Sequence, residues 1–372
     1  MGRRHFLKQA TMGGLAFCSC GLLDARAAAT TGATADAAPP HRGPLFLDGK
    51  RVRTVDAHAH CYFQDAIDLM GADAKAVLPP VKGVREHFIG AGAVDERLRA
   101  MDAQSVDLQV LGINPFWYRK DPETAAAICD LNNRHMSELC ASRPDRFAGL
   151  ASLTLQQPEL AAEQLEHAVT QLGLKGAAVG ASAAGEEFSD PRFQPVLAKA
   201  EALGAVLFIH PQSTPELAKR FKGNGWISNV IGNPLDTTIA LQRLIYEGVL
   251  DRHPKLKVLA AHGGGFQPMN AARSDHSCFV SPTNCSPDLT LQKQPSEYLK
   301  QLYFDSLVFT PENLRHLVAQ VGASQVVVGS DHPIPWDEHP IEVVLATKTL
   351  SKAERVAILG TNAERLFGLA KG

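Results

Sequence analysis

Asp56, His58 and His60 alternate in the stretch RTVDAHAH, residues 53–60. On a strand, residues two apart share a face. The spacing predicts that all three point the same way, with the two imidazoles about 7 Å apart. Both could then hold one metal ion. A single His-x-His also serves as an ordinary polar strand end, so the reading needs ligands from elsewhere in the chain. Three more candidates each close an apolar run: His210 in LFIHP, His262 in LAAHGGG and Asp331 in VVGSDHP. Imidazole nitrogens with one carboxylate oxygen suit Zn2+, with Mn2+ or Fe2+ as alternatives. Such an ion lowers the pKa of its water to about 7 or polarises a substrate oxygen. His58, His60, His210 and Asp331 are enough to hold one ion and leave a coordination position open. His262 is therefore read as a free base beside the metal rather than a fifth ligand.

These residues need a scaffold that brings them together. Eight short apolar or β-branched runs alternate with helical patterns: residues 52–60, 107–113, 147–153, 174–180, 205–210, 256–262, 302–307 and 325–331. Between them, segments such as PELAAEQLEHAVTQLG, PLDTTIALQRLIYEGVL and PENLRHLVAQVG read as helices opened by Pro or a polar cap. Strict alternation predicts an α/β fold with a parallel sheet, and eight strands close a (β/α)8 TIM barrel. A doubly wound open sheet is the alternative, but the first strand is followed by HAHCYF rather than a glycine-rich dinucleotide fingerprint. In a barrel, strands one and eight are neighbours, and strands five and six face them across the mouth. The five polar residues then converge at the carboxyl ends of the strands. The loops after strands one, five and six are long, roughly 33, 24 and 40 residues, and lie on that same face. Beyond residue 340 the chain reads as C-terminal helices.

The chain has 372 residues, 45% of them hydrophobic and 20% charged, enough for one large domain or two ordinary ones. A formal net charge of −2 with no basic stripe argues against nucleic acid. No stretch after residue 30 is long and apolar enough to span a bilayer. Residues 1–29 form a separate segment. Arg3 and Arg4 stand in RRHFLK, a mildly apolar run follows, and Ala25-Arg26-Ala27 offers a cleavage site. RRHFLK resembles a twin-arginine signal, which implies export by the Tat machinery and a periplasmic or secreted protein, or a cytoplasmic one if the signal does not function. Residues 30–49 read as linker and lead-in, and residues 50–372 as the barrel domain. Five cysteines lie outside the leader. Cys278 and Cys285 share a loop and could pair in an oxidising compartment, whereas Cys129 and Cys140 read as helix core.

The ordered set DAHAH, PKLKVLAAHGGGFQPMNAARSDH and VVVGSDHPIPWDEHP resembles the amidohydrolase superfamily, over roughly residues 50–370. Within it the decarboxylase branch is the best match, and RPDRFAGLASLTLQQPELAAEQLEHAV looks similar too. The resemblance implies that His58, His60, His210 and Asp331 hold one divalent metal, usually zinc, and that His262 is the catalytic acid/base. It also implies that Arg273 reaches a neighbouring subunit's site and binds a substrate carboxylate, a task that suits a guanidinium fork. Family members are usually dimers or larger. A second carboxylate-binding arginine of the family falls, ungapped, near Phe88, with Arg85 close by. Aromatic residues that usually follow the His-Pro of strand five and the Asp-x-Pro of strand eight are Gln212 and Ile334 here.

The expectation is a metal-dependent, non-oxidative decarboxylase of an aromatic or unsaturated carboxylic acid, with Asp331 as a possible proton shuttle. A hydrolase of an ester, lactone or amide would use the same ligands, and a non-catalytic periplasmic metal-binding protein is a third reading. Strand four ends at Gly180 and offers no carboxylated lysine or glutamate to bridge a second metal, which weakly favours the lyase.

Overall fold

The computed structural model describes residues 43–77, 93–212, 217–336 and 339–370. The leader, most of the linker, Arg85 and Phe88 lie outside the described residues. The described residues form one compact unit.

The barrel strands are β1 (Val55–His60), β2 (Leu108–Gly112), β3 (Phe147–Gly149), β4 (Gly176–Gly180), β5 (Val206–His210), β6 (Lys257–Ala260), β7 (Tyr303–Asp305) and β8 (Val326–Val327). All eight lie within the runs read from sequence. Continuous ladders give two parallel sheets, β1-β2-β3 and β4-β5-β6-β7-β8. Isolated parallel bridges join them at both seams, Ala151 to Ala177 on one side and Asp56 to Val328 and Ala59 to His332 on the other. The ring of eight is thus closed by single-residue bridges. β8 is much shorter than its apolar run because the ladder stops before Gly329, and Asp331 takes a left-handed backbone with φ 61°.

The helices outside the ring are α1 (Ala93–Ala103), α2 (Pro122–Ser142), α3 (Pro158–Thr170), α4 (Gln194–Leu203), α5 (Asn233–Tyr246), α6 (Ala271–Val280) and α7 (Pro311–Val321). The three helices read as opened by Pro, α3, α5 and α7, carry Pro158, Pro234 and Pro311 in their first turn. Pro122 sits in the first turn of α2 while Asp121 accepts from Thr124 N at 2.9 Å; Thr310 does the same for Asn313 N ahead of Pro311. After residue 340 come short helices Glu342–Ala346 and Lys352–Val356, a wide turn over Ala357–Thr361, and α8 (Asn362–Phe367). Ala363, Leu366 and Phe367 of α8 pack with Val55, Leu108 and Val206 at the strand starts, filling the end of the barrel away from the site.

The lead-in differs from a plain linker. Leu45–Leu47 pairs antiparallel with Lys50–Val52 around Asp48-Gly49, both with positive φ. Asp-Gly in that position is a strong two-residue hairpin signal. Cys278 and Cys285 form a disulfide, while Cys129 is buried and Cys140 half-buried on α2.

Candidate metal centre

The first ligand pair depends on an irregularity that alternation alone does not predict. β1 pairs with β2 as Asp56↔Gln109 but Ala59↔Leu111, so one extra residue is inserted between them. Val55 and Ala57 face the barrel interior with Phe208 and Val327. His58 then also turns inward, against the Phe208 ring at 4.9 Å, and His60 follows opposite Gly112. Asp56 does not share their face, contrary to the strand-period expectation. It points behind the wall, where Gln109 Nε2 donates to it at 3.1 Å and Arg97 of α1 donates to Gln109. A bulge resets the two-residue period, and this one aims both imidazoles at the mouth.

The other donors arrive from strand ends. Asp331 N donates to His58 O at 2.8 Å, which seats the carboxylate beside the pair. Asp331 Oδ1 lies 2.8 Å from His60 Nε2, 3.2 Å from His58 Nε2 and 3.9 Å from His210 Nε2, and its Oδ2 lies 3.6 Å from His262 Nε2. One ligand atom each from His58, His210, His262 and Asp331 falls within 4.8 Å of the other three. His60 flanks this cluster: its ring sits 4.7 Å from that of His210, while the His262 ring within the cluster is 5.3 Å from His210. The five residues read from sequence are therefore brought together at one rim. The tightest mutual set includes His262, although His262 also has the most open side chain, 16% exposed against 6% or less for the others.

His210 Nδ1 bonds Pro211 O at 3.0 Å, while its Nε2, buried and aimed at Asp331, has no hydrogen-bond partner. Buried polar atoms are rarely left so. A cation among these donors would satisfy it, and the donor set of imidazoles plus one carboxylate fits a divalent ion. Electrostatics agree. Burial works against charge on His58, but the Asp331 and Asp305 carboxylates outweigh it and raise its pKa to about 10. Burial and the neighbouring imidazoles hold His210 well below the ordinary range, and burial also lowers His60. Burial opposes the Asp331 charge, yet the surrounding histidines keep it well below the usual carboxylate range. The carboxylates that favour a positive charge on His58 would equally favour a bound cation.

Asp305 was not singled out from sequence. It is fully buried, accepts His58 Nδ1 at 2.6 Å and His262 N at 2.8 Å on Oδ2, and takes Gly263 N at 2.9 Å and Leu307 N at 3.0 Å on Oδ1. One carboxylate therefore orients a candidate ligand and anchors the backbone of the candidate base. That backbone is strained: His262 has φ 56°, and Gly263, Gly264 and Gly265 follow with φ 62°, 78° and 64°. A Cβ on Gly264 would lie 2.6 Å from Phe304, and one on Gly265 2.1 Å from Pro234 O. Only glycine fits such a left-handed run at close approach.

Arg273 is exposed on α6, and among the described residues no hydrogen bond or ion pair links it to the cluster of its own chain. An aromatic rim was also missed. Trp226 and Trp336 stack with centroids 5.6 Å apart and planes 13° apart, and Phe309 meets Trp336 edge-on at 6.1 Å. They lie on the loops that follow β5, β8 and β7, the same loops that leave His210, Asp331 and Asp305.

Fold and site together define a barrel enzyme of the metal-dependent kind, with its donors at the carboxyl ends of the strands. The chain belongs to the amidohydrolase family, whose model matches residues 55–369. It is 33% identical over 278 residues to the 2-amino-3-carboxymuconate-6-semialdehyde decarboxylase of Dictyostelium discoideum, covering 74% of this chain and 76% of that one. It is 31% identical to the gamma-resorcylate decarboxylase of Rhodococcus jostii (strain RHA1), covering 74% and 87%. The 5-carboxyvanillate decarboxylase of Sphingomonas paucimobilis superposes with a TM-score of 0.77 at 26% identity, over 86% of this chain and all of that structure.

Proposed function

We propose that the chain is a metal-dependent, non-oxidative carboxy-lyase acting on an aromatic carboxylic acid, or on an unsaturated one. The observation that carries this is the meeting of five side chains at one rim: one donor atom each of His58, His210, His262 and Asp331 lies within 4.8 Å of the others, and His60 Nε2 lies 2.8 Å from Asp331 Oδ1. His58, His60, His210 and Asp331 would hold a single divalent cation, Zn2+ or alternatively Mn2+, which would supply Lewis acidity toward a substrate oxygen, with the more open His262 beside them. The side chains do the rest. Decarboxylation breaks a carbon–carbon bond, releases carbon dioxide and leaves an electron pair on carbon, which must take up a proton. His262 delivers that proton from the open side of the site, and Asp331, 3.6 Å from its Nε2, is placed to shuttle it. Asp305 keeps both His58 and the His262 backbone in register while this happens.

Trp226, Trp336 and Phe309 stand on the loops that leave β5, β8 and β7, and ring faces and edges there would suit a planar substrate. Arg273, exposed on α6, is suited to hold a substrate carboxylate in a second copy of the chain, which makes the active form a homodimer or larger. The Cys278–Cys285 disulfide supports an oxidising, periplasmic or secreted setting reached through the twin-arginine leader. Lysines in place of Arg3 and Arg4 should hold the protein in the cytoplasm on cell fractionation; unchanged export would reject that route.

Purified zinc- and manganese-loaded protein, screened against dihydroxybenzoates, carboxyvanillate-like acids and lactones, tests the reaction. Carbon dioxide release selects the lyase. Ring opening without gas would select a hydrolase instead.

A further inference from the structure

A second polar assembly lies directly behind the metal ligands, sealed from solvent. Arg97, Gln109 and Asp56 are fully buried, and Ser330 nearly so. They form one connected chain. Arg97 Nη1 donates to Gln109 Oε1 at 2.7 Å, and Gln109 Nε2 donates to Asp56 Oδ2 at 3.1 Å. Ser330 Oγ donates to the same oxygen at 2.6 Å. Asp56 Oδ1 accepts from His58 N at 3.2 Å and from Ser330 N at 3.1 Å. At its two ends the chain meets main chain again: Arg97 Nη2 donates to His60 O, and His332 N donates to Ser330 Oγ at 3.0 Å.

The assembly therefore grips the backbone at His58, at His60 and on both sides of Asp331, and bonds to none of their side-chain donor atoms. It also sits at the one place where β1 departs from regular pairing, between Asp56 and Ala59. A bulged N–H has lost its ladder partner and needs another acceptor. Asp56 supplies it at His58. The same carboxylate holds Ser330 on the far side of the barrel seam, where isolated bridges and a few main-chain bonds, Asp331 N to His58 O among them, join β1 to the segment that leaves β8. One side chain thus adds to the main-chain bonds that set ligand direction on both sides of the seam.

We infer that Asp56 is a positioning residue for the metal centre, acting through the main chain of β1 and β8, with Gln109 and Arg97 fixing its orientation. The inference rests on the reading of His58, His60, His210 and Asp331 as ligands. Fixing ligands from outside the coordination sphere is worth about 10- to 100-fold in metal affinity where such groups have been removed.

The hydrogen-bond pattern suggests its own rescue. In Asp56→Asn, the new amide nitrogen has to face either Gln109 Nε2, a donor, or the main-chain N–H groups of His58 and Ser330, also donors. In Asp56→Asn with Gln109→Glu, the amide and carboxylate have changed places. The carboxylate now at position 109 accepts from the amide now at position 56 and from Arg97; Ser330 Oγ turns from donating to this position to accepting from it, and only the serine hydrogen loses its acceptor. The experiment titrates Co2+ and Zn2+ into wild type, the single variant and the double variant. It reads the dissociation constant, the Co2+ visible spectrum and the thermal midpoint of the metal-free protein. Affinity is expected to fall about 10- to 100-fold in Asp56→Asn with an altered Co2+ spectrum, and both should return most of the way in the double variant, which restores the bonds to Gln109's position, Arg97, His58 N and Ser330 N but not the one from Ser330 Oγ. Unchanged affinity and spectrum in Asp56→Asn would overturn the inference. So would a loss in affinity that the double variant does not recover although its metal-free midpoint matches wild type. A wild-type protein that binds no ion would instead reject the ligand assignment beneath it.

Discussion

His262 and Asp305 show how one residue's role is set by its partners. His262 belongs to the tight cluster, yet it is the most open of the five and meets Asp331 only at 3.6 Å. As an acid/base beside the metal, it should be dispensable for binding the ion: His262→Ala is expected to retain one ion per chain by elemental analysis while losing turnover by several powers of ten. An ion-free variant would make it a ligand. Asp305→Asn should weaken metal binding by about 10- to 100-fold in chelator competition, since an amide has one accepting oxygen and cannot serve both His58 Nδ1 and the three main-chain N–H groups of His262, Gly263 and Leu307. Wild-type affinity would show that the bond to His58 only decorates the site. The histidines and Asp331 were legible because each is a polar residue closing an apolar run. Asp305 in LYFDSL carried no such mark, and its main partner lies 247 residues away in the chain. Asp56 was visible as a residue but was placed on the wrong face, since an inserted residue in a strand leaves no signature in a two-residue period.

At the scale of elements, the site is made by strand ends and the backbone turns that leave them. The eight strands were readable because parallel barrel strands are buried on both faces and so appear as short apolar runs. Their true lengths were not, as β8 shows: its run continues through residues whose backbone leaves the ladder. The hairpin at Asp48-Gly49 was readable from its turn and went unread. The glycine run after His262 is the element on which the candidate base most depends. Gly265→Ala would drive a Cβ to 2.1 Å from Pro234 O at a left-handed position. It should lower stability by at least about 1–3 kcal/mol in urea unfolding and abolish turnover by displacing His262. Full activity with an unchanged midpoint would mean that α5 yields to the methyl group and that the glycines do not fix the base.

For the whole molecule, the open issue in the chemistry is where the substrate carboxylate is held. Arg273 is exposed and unlinked to its own cluster, so its proposed task calls for a second copy of the chain. Arg273→Ala and His262→Ala should each be inactive as pure preparations. Mixed under conditions of subunit exchange, they should recover activity, because a hybrid pairs an intact His262 with an intact Arg273 from the other chain. No recovery after exchange, verified by native mass spectrometry, would remove Arg273 from the site. The measurement that bears most directly on the central claim is a reconstitution. Metal-free protein would be titrated with Mn2+ or Zn2+ while carbon dioxide release from a dihydroxybenzoate or carboxyvanillate substrate is followed by mass spectrometry. The expected result is no gas without metal and a linear rise that breaks at one ion per chain. Gas release from the metal-free protein, or a break at two ions, would contradict the single-metal lyase.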